Sequence, residues 1–162
     1  MCKDKKKGVS IIMPAYNAEK YIEKAIRSVL AQTYKEWELI VINDCSTDNT
    51  EQIVLKIASE DIRIRYLKNA VNSGVSESRN VGIKKSRNDW IAFLDSDDCW
   101  TTDKLEKQLQ LCECHPEGKL FFTGSGFISE EGQKSRYVLR VPEIVTFRRL
   151  LKQNVISCSS VL

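Results

Sequence analysis

Histidine is almost missing from this sequence: 162 residues hold one, at position 115. Catalysis by a Ser-His or Cys-His pair would have to run through His115, and no nucleophile elbow accompanies it. Long apolar runs are missing as well; none reaches the roughly 20 residues needed to cross a bilayer. No apolar h-region follows the basic start Lys3-Asp4-Lys5-Lys6-Lys7, so no secretory signal is expected. The cysteines at 2, 45, 99, 112, 114 and 158 then read as reduced thiols of a cytoplasmic protein rather than as a disulfide framework. Cys112-Glu113-Cys114-His115 lacks a second ligand pair at zinc-finger spacing and reads as a helix end. A large excess of one charge is also missing: the formal net charge is +3, which gives no footprint for nucleic acid. What is present is 42% apolar and 29% charged residues, the balance of a globular domain. Residues 1–7 are expected to form a flexible basic tail, with weak attraction to the inner face of an anionic membrane. Residues 8–162 are expected to form one domain.

The richest stretch chemically is Trp90-Ile-Ala-Phe-Leu-Asp95-Ser96-Asp97-Asp98. A short unbroken apolar run reads as a strand buried on both faces, and Asp95 marks its exit from the core. Three acids this close repel one another, and a divalent cation relieves the repulsion. Hard oxygen ligands favour Mg2+ or Mn2+, held by one or two carboxylates together with substrate phosphates. An isolated D-x-D-D also serves as a simple helix cap, so the rest of the chain has to decide.

Apolar strands are predicted over 9–13, 37–42, 62–67 and 90–94, with proline ending the first at Pro14. Asn17 reads as the N-cap of a helix whose stripe is Tyr21, Ile22, Ala25, Ile26, Val29 and Leu30. Asp48 and Glu51 stand at capping-box spacing for a second helix. A third is predicted over 77–86, with Arg79 in its first turn, against the helix dipole. A fourth starts near Asp103, with Leu105, Leu109 and Cys112 on one face. Further on, a strand is predicted over 119–128, a turn over 129–132, a return strand over 137–141, a short helix over 147–151 and a strand beginning at 157. Strand and helix alternate four times, which predicts an α/β fold: a doubly wound, mostly parallel sheet with helices on both faces. Ligands of such sheets bind beyond the carboxyl ends of the strands. Pro14, Asp44 and Asp95 all fall there.

Four stretches carry a resemblance. Val-Ser-Ile-Ile-Met-Pro14-Ala15-Tyr16-Asn17, Val-Ile-Asn-Asp44-Cys-Ser46-Thr-Asp48, Gly74-Val-Ser-Glu-Ser-Arg79-Asn80 and Phe-Leu-Asp95-Ser96-Asp97-Asp98 resemble, in order and spacing, the motifs of family 2 glycosyltransferases with the Rossmann-like GT-A fold. The resemblance is close over residues 8–130 and looser over 154–162. It implies an inverting transfer of sugar from a nucleotide diphosphate donor, a UDP-sugar, to an acceptor hydroxyl on a glycan or lipid-linked acceptor. It implies that Pro14, Ala15 and Tyr16 line the nucleobase and ribose, that Asp44 accepts from uracil N3–H, and that Arg79 lies near base or diphosphate. Asp95 and Ser96 would stand at the ribose, and Asp97 would bind the Mn2+ or Mg2+ that bridges the diphosphate.

The general base in such enzymes is a tuned carboxylate. Glu117, Glu130, Glu131 and Glu143 follow no apolar strand and read as solvated turn residues, so the base is expected beyond Leu162 and the sequence reads as cut on its C-terminal, acceptor side. A sugar-phosphate nucleotidyltransferase and a receiver-like binding domain are the competing readings. The first calls for a Gly-rich basic loop after the first strand, and the second for an acid there; Pro14-Ala15-Tyr16 supplies neither.

Overall fold

The computed structural model describes residues 8–129 and 133–162. The basic stretch 1–7, and Glu130 and Glu131 of the expected turn, lie outside the described residues. Four parallel strands form the centre: β1 (Val9–Ala15), β2 (Trp37–Asn43), β3 (Ile64–Lys68) and β4 (Trp90–Phe93), in the order β3-β2-β1-β4. Helices α1 (Ile22–Leu30), α2 (Thr50–Ala58), α3 (Gly74–Lys85) and α4 (Lys104–Cys114) follow these strands in turn. β1 and β2 are buried at every position, which is why neither alternates polar with apolar.

The period of two along a strand sorts their side chains onto two faces. Ile11, Met13, Leu39 and Val41 share one apolar cluster with Ile22, Ile26, Val54 and Leu105 of α1, α2 and α4. Ile12, Ile40 and Ile42, one residue out of phase, form a second with Val81 of α3. Helices therefore cover both faces, as the alternation predicts. Each buried isoleucine contributes about 1.5–3 kcal/mol. Gly82 lets α3 approach closely: a Cβ there would meet Ile12 Cγ2 at 2.5 Å and Ile42 Cδ1 at 3.0 Å. The one acid inside β2, Glu38, is satisfied by Ser10 Oγ at 2.7 Å, Arg65 Nη1 at 2.6 Å and the Arg87 amide at 2.7 Å. No described helix is long and apolar enough to cross a membrane.

Several boundaries differ from expectation. Pro14 does not end β1; it lies inside, in register with Ile42. Its missing N–H faces the β4 side, where pairing stops at Ile12–Phe93, so no bond to β2 is lost. Asn17 does not cap α1. It takes a left-handed turn, φ 46°, and Tyr21 stands at the N-cap. α3 starts at Gly74 rather than 77, which places Arg79 in the second turn, away from the strongest dipole field. Only Ser125–Ile128 of the predicted 119–128 strand is extended; this β5 pairs antiparallel with β6 (Lys134–Leu139), and α5 (Phe147–Leu150) follows. Residues 119–124 form no regular element, and Phe121 among them exchanges both backbone bonds with Leu162, at 2.8 Å each. The expected strand after 157 is a 3-10 turn, Cys158–Ser160. Ser160 closes it by bonding the Ser157 carbonyl through both its amide and its hydroxyl.

Candidate functional site

The carboxyl ends of β1, β2 and β4 open into a cleft of about 500 Å3. Pro14, Ala15, Tyr16, Asp44, Arg79, Asp95, Ser96 and Asp97 all line it, joined by Asn17, Ala18, Tyr21, Val75 and Ser78. The fold thus brings together every residue that the sequence pointed to for this edge.

Asp44 leaves β2 almost fully buried, at 3% exposure. Its Oδ1 accepts from Asn69 Nδ2 at 2.7 Å and from the Ser73 amide at 3.0 Å, and its Oδ2 from the Gly74 amide at 2.7 Å. The carboxylate therefore sits at the N-terminus of α3, where the helix dipole favours an anion. Burial alone would raise its pKa; the bonds from Ser73, Asn69, Gly74 and Ser78 together outweigh burial and hold it below the ordinary carboxylate value. Three of its roughly four lone-pair directions are taken by Asn69, Ser73 and Gly74. The Ser78 hydroxyl, a rotor, shares the fourth. Gly74 has φ +82°, a conformation that needs glycine. Cys45, next to Asp44, is also left-handed, φ 63°, and its thiol meets the Asn69 carbonyl at 3.2 Å.

The loops after β1 and β2 are stapled to each other. The Asn17 amide donates to Ser46 Oγ at 3.0 Å, and the Thr47 amide to Asn17 Oδ1 at 2.8 Å. The Glu19 amide donates to Asp48 Oδ2 at 3.0 Å, and the Asn49 amide to Glu19 Oε2 at 2.9 Å. Asp48, expected to be a helix cap, serves both ends: its Oδ2 joins this staple, and its Oδ1 accepts from the Thr50 amide at the start of α2 at 3.0 Å.

The three acids after β4 do not form a shared cage. Asp95 Oδ1 is paired with Arg79 Nη2 at 2.6 Å. Asp98 is exposed by surface area, yet its carboxyl lies against Ser159; loss of solvent there pushes its pKa up, and Asp97 and Asp95 add to the rise. Among the described residues no group of three or more His, Cys, Asp or Glu stands ready to hold a metal. Arg79 offsets the charge of Asp95, and the Ser159 hydroxyl favours the charged form of Asp98. Asp97 alone is left exposed and lining the cleft. That suits a cation held by one carboxylate and completed by substrate phosphates, the usual Mg2+ arrangement, and not an all-protein site. Arg79 Nε is buried without a hydrogen-bond partner among the described residues, a donor still to be satisfied at this wall.

No carboxylate after Asp98 lines the cleft among the described residues. Glu117 pairs with His115 at 3.3 Å, and Glu143 is exposed on the chain beyond β6. The sequence reading missed Asn69, Ser73, Ser78 and Ser159. All act across long sequence separations, and only Asn69 and Ser73, in a polar loop before Gly74, left a visible sign.

A parallel α/β sheet with a polar, partly acidic cleft at its carboxyl edge defines a doubly wound domain whose ligand site lies at that edge. The sequence matches the family model described as glycosyl transferase family 2 over residues 10–159, and the chain belongs to that family. It is 40% identical over 154 residues to the Escherichia coli UDP-Glc:alpha-D-GlcNAc-diphosphoundecaprenol beta-1,3-glucosyltransferase WfgD, covering 95% of this chain and 59% of that protein. The chain thus spans about three fifths of the length of such curated relatives. Among solved structures, S. aureus TarS 1-349 in complex with UDP-GlcNAc superimposes with a TM-score of 0.67 and 32% identity, over 72% of this chain and 34% of that one. The Pyrobaculum calidifontis mannosyltransferase PcManGT, solved with GDP-Man and Mn2+, has a TM-score of 0.68 at 20% identity over 72% of this chain and 35% of that one, and shares the fold. The fold is GT-A, and family membership sets aside the nucleotidyltransferase and receiver readings.

Proposed function

We propose that this chain forms the donor-binding part of an inverting glycosyltransferase that uses a UDP-sugar and a divalent cation. One observation carries the reading: eight residues from four separate stretches, each expected at a nucleotide-sugar edge, line a single cleft. UDP-GlcNAc in the similar TarS, and the name of the similar WfgD, support uridine as the nucleoside. WfgD's named acceptor also supports a lipid-linked acceptor of the diphosphate type.

In this reading Pro14, Ala15 and Tyr16 form the nucleoside wall, and Tyr16, 54% exposed, lies at its mouth. Asp44 accepts the N3–H of uracil in the direction from which the Ser78 hydroxyl turns away. Asp95, oriented by Arg79, takes the ribose hydroxyls beside Ser96, and Arg79 Nε gains its missing acceptor from the donor. Asp97 would hold Mn2+ or Mg2+, whose chemistry is to neutralise the charge that develops on the leaving diphosphate. The acceptor hydroxyl attacks the anomeric carbon from the face opposite the diphosphate, which inverts the centre. The reading assigns the proton-accepting base to no described residue.

Calorimetric titration of the chain with UDP, CDP and ADP, in Mn2+ and in excess chelator, tests this. UDP in Mn2+ is expected to bind best, and Asp97→Asn to remove the Mn2+-dependent increment. Equal UDP affinity in Mn2+ and in chelator would overturn the metal role, and CDP binding as tight as UDP would overturn the role of Asp44 toward the base.

A further inference from the structure

Ser159 stands far along the chain from the Asp95–Asp98 turn but lies against both of its ends. The Asp95 amide donates to Ser159 Oγ at 3.0 Å, and the Asp98 carboxyl lies beside the same hydroxyl, which favours its charged form. A hydroxyl offers one donor and two acceptor positions, so it can serve both neighbours. Within the turn, the Asp98 amide returns to the Asp95 carbonyl at 3.1 Å. Asp95, Ser96 and Asp97 reach the cleft, Asp98 does not, and Ser159 itself does not line it.

The hydroxyl is held from behind. Ser159 is 8% exposed. Its carbonyl accepts from Trp100 Nε1 at 2.7 Å, and the Ser160 carbonyl accepts from Gln108 Nε2 at 3.0 Å. The Phe121–Leu162 backbone pair fastens the same segment two residues later. Four bonds thus hold from behind a segment that carries no cleft residue, and its Ser159 hydroxyl is the group that receives the Asp95 amide.

We infer that Ser159 is a positioning residue of the donor site, whose hydroxyl fixes the Asp95–Asp98 turn so that the Asp97 carboxylate is directed at the diphosphate end of the cleft. It acts through Asp95 and Asp98 without touching a ligand. The inference rests on the donor-site reading for its ligand, and the first arm of its test needs none.

The experiment compares the wild type with Ser159→Ala, and with Ile57→Ala as a variant that loses core packing on α2, a helix with no residue in the cleft. In the first arm, without nucleotide, amide hydrogen exchange is followed by NMR. Ser159→Ala is expected to speed exchange at the Asp95 amide beyond that of the β1 core amides and to shift the Asp97 resonance. Ile57→Ala is expected to leave the ratio of Asp95 to core exchange unchanged. In the second arm, Mn2+ is titrated in the presence of UDP. Ser159→Ala is expected to weaken Mn2+ binding by about 10- to 100-fold, the usual effect of losing a group that orients a metal ligand, while Ile57→Ala binds as the wild type. Unchanged Asp95 protection in Ser159→Ala would overturn the inference. So would an affinity loss that follows Tm equally in both variants. If the wild type itself binds no UDP, the donor-site reading fails and the first arm alone decides the role of Ser159.

Discussion

Arg79 Nη2 stands 2.6 Å from Asp95 Oδ1, joining the second turn of α3 to the exit of β4 across the floor of the cleft. The pair is part-buried, with side-chain exposures of 23% and 32%, so its direct worth to stability is small, under about 1 kcal/mol. Its importance is directional, because it fixes the Asp95 carboxylate. Arg79→Ala is expected to lower UDP affinity about tenfold while moving the unfolding midpoint little. Calorimetry beside thermal denaturation separates the two effects, and wild-type UDP affinity in Arg79→Ala would leave the pair as scaffold only.

Asp44 makes a pH-dependent contribution whose sign follows from its environment. Its folded pKa lies below the ordinary 3.8, so as pH falls the unfolded chain takes up the proton first. The stabilisation is complete above that ordinary value and is lost as pH drops through the folded one. Asp44→Asn should cost about 1–3 kcal/mol at neutral pH, since an amide group then opposes buried N–H donors. Urea denaturation at pH 7 and at pH 3 should find the gap between variant and wild type narrower at the lower pH.

Lys104 is a buried cation with a stability profile of the opposite kind to a surface lysine. Burial lowers its pKa from 10.5 to about 7, while the Trp100 ring, 4.1 Å from Nζ, and Gln108 Oε1 at 2.5 Å favour the charged form. Between about pH 7 and 10.5 the unfolded chain holds a proton that the folded chain releases, so this group's contribution rises with pH across that window. Relative to Lys104→Met, the wild type should gain stability from pH 7 to pH 10. A constant difference would mean that ring and amide keep the lysine charged.

Gly82 tests the closeness of α3 to the sheet. A methyl there would meet Ile12 Cγ2 at 2.5 Å, and overpacking of this kind costs about 1–3 kcal/mol. Gly82→Ala should lose that much in chemical denaturation despite the better helix propensity of alanine. A gain in stability would show that α3 can lift off without loss.

The strands, the helix order and the cleft residues were legible because each signal is local. An apolar run ends at Asp44 or Asp95, and that ending already marks the edge where ligands bind. What was not legible depends on partners distant in sequence. Gly74 starts α3 because Asp44, thirty residues earlier, receives its amide; no pattern around 74–77 announces this. Arg79 looked misplaced against a dipole only because the helix start was set three residues late. Cys158-Ser159-Ser160-Val161 is β-prone in composition, but the Ser160 hydroxyl bends it and Trp100 fixes it. That Arg79 pairs with Asp95 and Ser159 lies beside Asp98 was not legible either, because neither is near the three acids in sequence.

The staple between the loops after β1 and β2 bears on how fast and how selectively a ligand can be received. Asn17, Glu19, Asp48 and Asn49 exchange their bonds within the folded chain, so one wall of the cleft is rigid before anything arrives. Whatever ligand the cleft receives has no loop to order on that side, and that entropy penalty on association is spared. On the proposed reading this wall would select the base by fixed shape, and adaptation to different sugars would fall to the opposite wall.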